Sequence, residues 1–301
     1  MSDRDGPNSV TGTAAAKDIE GPTGPKPSRG GPTSILKHAI LLVAVFCLML
    51  PLYFVISTAL KTRDDYSADK IGLPDALFTG NFTTALRGGT FFLWLGNSVV
   101  LTVGAVVLSL VVSSLAAFAF ARMRFLGSNT LLATVTALMV IPPIVMLVPL
   151  FLMLARVYLI GTYPGAILVY AGLVTPFSVY FLTNFFRSIP HEIVEAAFID
   201  GATSLGVLLR ILLPLSGPAL ATLIVVNSVY VWNDLLVALV LLPEEGKYPL
   251  MIGITVFGSR YNSDVPVAMA GMLLASIPML LLYLAGQRLF IRGIVAGALK
   301  G

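Results

Sequence analysis

Charge is scarce in this chain. Only 11% of its 301 residues are Asp, Glu, Lys or Arg, against roughly a quarter in an ordinary soluble domain. Nineteen basic and fifteen acidic residues leave a net +4, too small and too dispersed a surplus for a nucleic-acid footprint. One cysteine, Cys47, excludes a disulfide framework and a thiolate metal cluster, and two histidines, His38 and His191, leave little for an imidazole site. Nucleotide-binding loops are missing too. The only Gly-Lys pair, Gly246-Lys247, is followed by Tyr248 and lacks the upstream glycine of a phosphate-binding loop. Neither His-Glu-x-x-His nor Gly-x-Ser-x-Gly occurs. The expectation is a chain that is no enzyme, hydrolyses no ATP itself, and holds no cofactor or metal.

What remains is apolar: 57% of the residues are hydrophobic. A spanning helix needs about 20 mostly apolar residues, and six long uncharged runs supply them. The predicted spans are 38–59, 96–120, 130–154, 164–186, 217–241 and 265–289. Backbone polar groups in lipid must be paired within each segment, so the spans are helices and the fold class is an all-α membrane protein. Pro51, the Pro142-Pro143 pair, Pro149, Pro176 and Pro278 lie inside them and are expected to bend or break the helix locally. The first 34 residues differ: Gly, Pro, Ser and Thr fill 19 positions and no apolar period appears. They read as a disordered tail, with 35–290 as the membrane domain and 291–301 as a C-terminal tail.

Lys and Arg set the orientation. With six spans, the side shared by both termini and the 121–129 and 187–216 loops carries 12 basic residues, and the other side carries 7. That bias places both termini in the cytoplasm. Lys61 and Arg63, just beyond span one, run against it; Arg122 and Arg124, in a very short loop, support it.

The loop between spans four and five is too long for a simple connection. Pro190 suits the start of a helix, Glu192 and Glu195 complement its N-terminus, and Ile189, Ile193, Ala196, Ala197 and Ile199 give it an apolar surface. Gly201 offers a left-handed stop. Thr203 or Ser204 then caps a second helix, which Pro214 ends. Two readings follow from the residues: a helix that receives a partner protein, or one that lies on lipid.

Glu195-Ala196-Ala197, three residues, Gly201, nine residues, then Ile211-x-Leu213-Pro214 resembles, at every fixed position, the loop signature of ABC importer permeases. Ala116 through Phe125, Leu159 through Gly165, Asp200-Gly201-Ala202, Trp232-Asn233-Asp234 and Ala296 through Gly301 resemble the smaller permease of carbohydrate importers of the maltose type. The resemblance covers about residues 35–301. It implies a permease heterodimer, two ATPase subunits that use ATP and Mg, and an extracytoplasmic sugar-binding protein, in the cytoplasmic (inner) membrane. It makes 187–216 the coupling loop, with Glu195, Ala196, Ala197, Asp200 and Gly201 seated on an ATPase subunit. It also implies that the 243–264 loop, with Glu244, Glu245, Lys247, Tyr248 and Arg260, touches the binding protein, and that Gly293–Gly301 reaches the ATPase interface.

Inside the membrane, Asp234 falls in span five, roughly 12 Å from its outer end at 1.5 Å per residue. A charge there faces a partner or a wet cavity. Trp232, Asn233 and Asp234 together offer the ring and the polar groups that a sugar path needs, or an interhelical hydrogen-bond cluster that only fixes packing. The expected function is ATP-driven import of a sugar or oligosaccharide by alternating access. The alternatives are the same architecture importing another solute, such as a phosphorylated polyol, and, more distantly, an ion-coupled secondary transporter, which needs ionisable residues in several spans where only Asp234 qualifies.

Overall fold

The computed structural model describes residues 32–87, 89–260 and 264–298. Residues 1–31 of the expected tail and the last three residues lie outside this set. The described residues divide into two units, split between Pro51 and Leu52.

α1 (Pro32–Ala59) begins in the first unit, where its described side chains from Leu36 onward are exposed. The second unit continues with the short α2 (Arg63–Ala68) and α3 (Gly80–Leu86), and then α4 (Thr90–Arg122). α5 (Ser128–Ala137) passes through a 3-10 turn, Leu138–Val140, before α6 (Pro143–Arg156). α7 (Tyr163–Ser188) and α8 (His191–Ile199) follow. α9 (Ser204–Val207) runs through a π turn, Leu208–Leu212, into α10 (Leu213–Leu215). α11 (Gly217–Asn233), α12 (Leu236–Leu241), α13 (Leu250–Arg260) and α14 (Val265–Ala298) complete the order. Among the described residues every regular element is helical.

Among the described residues, four helices are long and apolar enough to cross a membrane, and two bent pairs raise the number to as many as six. Spans one, two, four and six are single helices. Span three is broken: α5 and α6 meet at 104°, where Pro142 is extended and Pro143 starts the next helix. Span five departs further from the sequence reading. α11 stops at Asn233, and a 78° bend separates it from the Ser204–Leu215 segment before it. Pro51, Pro149, Pro176 and Pro278 sit inside helices that continue past them. Helix α14 continues through Ala298, so most of the expected C-terminal tail is helical.

The centre of the fold is a parallel pair, α4 and α7. Tyr163 donates to Asn97, Thr175 to Ser109 and Arg187 to the Phe120 carbonyl, at sequence offsets of 66, 66 and 67. A constant offset means the two helices run side by side in the same direction, in register. Gly104 permits the close approach: a Cβ there would stand 2.7 Å from Ile167 Cδ1. The buried face of α4 carries Ser98, Thr102, Ser109 and Ser113, while Val99, Val103, Val107 and Val111 are exposed. Small polar residues inside and apolar ones outside suit a helix whose solvent is lipid.

Candidate functional site

The loop helix α8 starts at Pro190, whose φ −53° and ψ 139° place it one position before the helix. Val194 and Ala197, three apart, are buried and pack with Ala117 and Phe118 of α4 and Leu182 and Phe186 of α7. The opposite face is open: Glu195 and Ala196 are exposed, and Ile199 is 86% exposed. Of the expected docking residues, then, Ala197 faces the body of the protein while Glu195, Ala196, Asp200 and Gly201 are on the surface.

Gly201 ends the helix at φ +84°. Its N–H donates to Phe198 O at 3.0 Å, and the Ala202 N–H donates to Ala197 O at 2.9 Å. These are the two bonds of a Schellman stop, in which glycine takes the left-handed position. The Thr203 hydroxyl then accepts from Gly206 N at 3.1 Å and opens α9. The turn is thus fixed at both sides by local chemistry.

Asp234 sits at a helix break, not within a helix. Its backbone is extended (φ −71°, ψ 133°). Its Oδ2 accepts from Val237 N at 3.0 Å and from the Tyr170 hydroxyl at 3.3 Å. Asp side chains compete with the helix for backbone donors; here the competition ends α11 and caps α12. Asn233 and Tyr230, three residues apart, share a face. With Asp234, Pro143 and Ile144 they line a cavity of about 490 Å³. Tyr230 also borders a larger apolar cavity of about 850 Å³, with Met146, Met153 and Phe177. Trp232 is elsewhere: it is 4% exposed and packs with Phe91, Trp94 and Leu250. The structure therefore brings Asn233 and Asp234 together and separates Trp232 from them. The described lining of neither cavity includes Lys, Arg or His.

At the other end of the α4–α7 pair, the 243–248 segment is pinned. Lys247 Nζ donates to Gly161 O at 2.7 Å and pairs with Glu244 at 2.9 Å. Asn97 Nδ2 donates to the carbonyls of Gly246 and Tyr248, and its Oδ1 accepts from Tyr163 at 2.7 Å. Glu244, Glu245 and Gly246 are exposed; Lys247 and Tyr248 are half-buried. Arg260 lies on α13, and its side chain is outside the described set.

Residues 109–294 match the family model for the binding-protein-dependent transport system inner membrane component. The chain belongs to that family. The α8 loop, the Asp234 break and α14 through residue 294 all fall inside the matched stretch. A protein of Caldicellulosiruptor sp. (strain Rt8B.4) named for an ABC transporter permease is 40% identical over 268 residues, covering 88% of this chain and 97% of its own. The arabinooligosaccharides transport system permease of Halalkalibacterium halodurans is 32% identical, covering 87% and 93%. Among solved structures, one chain of a bacterial ABC transporter involved in the import of the acidic polysaccharide alginate superposes with a TM-score of 0.77 at 24% identity, covering 86% of this chain and 96% of that one. The protein is an inner-membrane, multi-pass permease of a binding-protein-dependent ABC importer.

Two residues that the sequence reading does not single out stand at these places. Tyr230, not Trp232, is the aromatic residue that lines the cavity beside Asn233 and Asp234; its spacing of three from Asn233, against one for Trp232, is the signal that helix geometry offers. Asn97 holds the 243–248 segment, and its mark in the sequence is an amide in the apolar stretch of α4.

Proposed function

We propose that the chain is the smaller, non-catalytic permease subunit of a carbohydrate importer, moving a sugar or oligosaccharide by alternating access. The likeness of relatives carries the substrate class: permeases of 31–32% identity are named for arabinooligosaccharides, melibiose/raffinose/stachyose and trehalose. The cavity residues support it. Tyr230 supplies a ring face, and Asn233 and Asp234 supply hydrogen-bonding groups, which together suit hydroxyls and the apolar face of a pyranose. A phosphorylated polyol is favoured less, since a phosphate calls for cationic side chains, the described cavity linings contain none, and the Asp234 carboxylate in the smaller one disfavours an anion.

In this reading both termini and α8 are cytoplasmic. Glu195, Ala196, Asp200 and Gly201 meet an ATPase subunit, Ala197 holds α8 against the permease, and ATP and its Mg belong to the two ATPase subunits. A second permease completes the path. Glu244, Glu245 and Gly246 face the extracytoplasmic binding protein. Lys61, which runs against this orientation by charge count, is fully buried with its Nζ 2.6 Å from Asp69 O, so it acts as a structural cation.

The test is uptake by the assembled complex in ATP-loaded proteoliposomes, with labelled raffinose, trehalose, arabinotriose, glycerol 3-phosphate and an amino acid mixture offered separately. ATP-dependent accumulation confined to one or more of the sugars is expected. Accumulation of glycerol 3-phosphate or amino acids with no sugar uptake contradicts the carbohydrate assignment.

A further inference from the structure

Two arginines tie α4, α7 and α8 together. Because α4 and α7 are parallel, their C-termini lie at the same end, each with carbonyls left unpaired by the helix and a partial negative charge. Arg122, the last residue of α4, reaches across. Its Nη2 donates to Phe186 O at 2.5 Å and to Ile189 O at 2.7 Å, and its Nη1 lies 3.2 Å from His191 Nδ1. Arg187, near the end of α7, returns the contact by donating to Phe120 O at 3.2 Å. Phe186 is in the last turn of α7, Ile189 is its cap, and His191 is the first residue of α8. One guanidinium therefore grips the last turn of a spanning helix, the link after it, and the start of the loop helix.

We propose that Arg122 is a positioning residue that transmits displacement of α8 to α4, with Arg187 as its counterpart. The proposal rests on α8 being the element that docks an ATPase subunit. The buried contacts of Val194 and Ala197 hold α8 against the helix pair, but apolar contacts slide; directional bonds do not. A planar fork with several donors meets two carbonyls and a ring nitrogen together, and a single ammonium does not. With the fork in place, α8 and the adjoining ends of α4 and α7 move as one body. Without it, α8 follows the ATPase and α4 lags.

A cap that merely stabilises would lower yield, melting temperature and transport in proportion. A transmission joint instead changes how much solute moves per ATP, which separates the two roles. The complex in proteoliposomes is assayed with wild type, Arg122→Lys, Arg122→Gln and Arg187→Gln, using whichever labelled sugar the wild type accumulates. Each charged hydrogen bond biases the joined state by about ten-fold or more. Sugar moved per ATP should therefore fall about ten-fold in Arg122→Gln and less in Arg122→Lys, while bound ATPase subunits and basal hydrolysis stay within about two-fold of wild type. Unchanged sugar per ATP in both Arg122 variants overturns the joint while leaving α8 docking intact. Full ATPase retention in Glu195→Ala and Gly201→Val overturns the docking reading itself, and the joint with it.

A second measurement covers the case in which Arg122 variants fail to assemble. Spin labels at Met123→Cys and Glu192→Cys, in a chain with Cys47→Ser, report the distance from the end of α4 to α8. An equal distance with and without ATP supports the joint. A change of a helical turn, about 5 Å, overturns it.

Discussion

The hydroxyl of Tyr170, itself 1% exposed, lies 3.3 Å from Asp234 Oδ2, the same oxygen that accepts from Val237 N. The carboxylate thereby joins α7 to the break between α11 and α12. It caps one helix and satisfies a buried phenol on another, so two roles fall on one group. Loss of a cap costs about 1 kcal/mol, and a stranded buried hydroxyl about 1–3 kcal/mol. Asp234→Ala should lower the melting temperature of the purified permease pair clearly, and Asn233→Ala should not. Equal melting temperatures for the two variants would contradict the structural role of Asp234.

Tyr230 and Trp232 offer a contrast within one turn of α11. Tyr230→Ala should raise the KM for the transported sugar with little change in stability, and Tyr230→Phe should keep most of the affinity if the ring face is what matters. Trp232→Ala empties a packed site, which typically costs about 3–5 kcal/mol, and should reduce the amount of folded permease recovered. A raised KM in Trp232→Phe, with Tyr230→Ala indistinguishable from wild type, would reverse the assignment.

How much of this was legible beforehand depends on the scale at which the chemistry acts. The apolar runs and the Gly201 stop are local and were readable: lipid demands length and unbroken apolarity, and a Schellman turn needs only a few residues. The Asp234 break was not, although it is also local. Beyond Asn233 its neighbours on both sides are apolar, so hydropathy alone carries the helix through it; the competition of the Asp234 carboxylate for Val237 N accompanies the end of α11 there. The Pro142-Pro143 break was signalled, yet Pro51, Pro149, Pro176 and Pro278 carried the same signal and left their helices unbroken. The Arg122 grip depends on residues 64 and 67 positions away, which no periodicity reveals.

In the 243–248 loop, exposed and pinned residues should behave differently. Glu244→Gln with Glu245→Gln should reduce stimulation of ATP hydrolysis by the binding protein while leaving assembly intact. Asn97→Ala removes the side chain that holds the Gly246 and Tyr248 carbonyls, and should both destabilise the loop and reduce stimulation. Stimulation unaffected by the double Glu variant would point to a connector with no partner.

Asp69 accepts from the backbone N–H groups of Gly72 and Ile71, each at 3.0 Å. These bonds hold its carboxyl below the usual Asp range, with a smaller contribution from Lys61. A depressed folded pKa means that its contribution is present above the ordinary Asp value, about 4, and is lost as pH falls through the lower folded value. Protection of the Ile71 and Gly72 amides against exchange, relative to the free-chain rate at each pH, should persist through that ordinary value and fall only in stronger acid. In Asp69→Asn the acid-dependent step should disappear; an unchanged profile would contradict this account of the turn.

The proposed coupling role of the α8 loop is tested most directly by ATPase retention on the purified permease pair, measured together with sugar uptake in vesicles, for Glu195→Ala and Gly201→Val. A charged hydrogen bond at Glu195 is typically worth about 1.5–3 kcal/mol, a ten- to hundred-fold change in docking. At Gly201 a Cβ would meet nothing within 4 Å. The penalty of valine there is therefore the left-handed backbone, about 1–2 kcal/mol, with crowding of the partner added on docking. Both proteins should insert normally, lose ATPase subunits and transport poorly. Normal retention with normal uptake in both would show that α8 is not where the ATPase drives this permease.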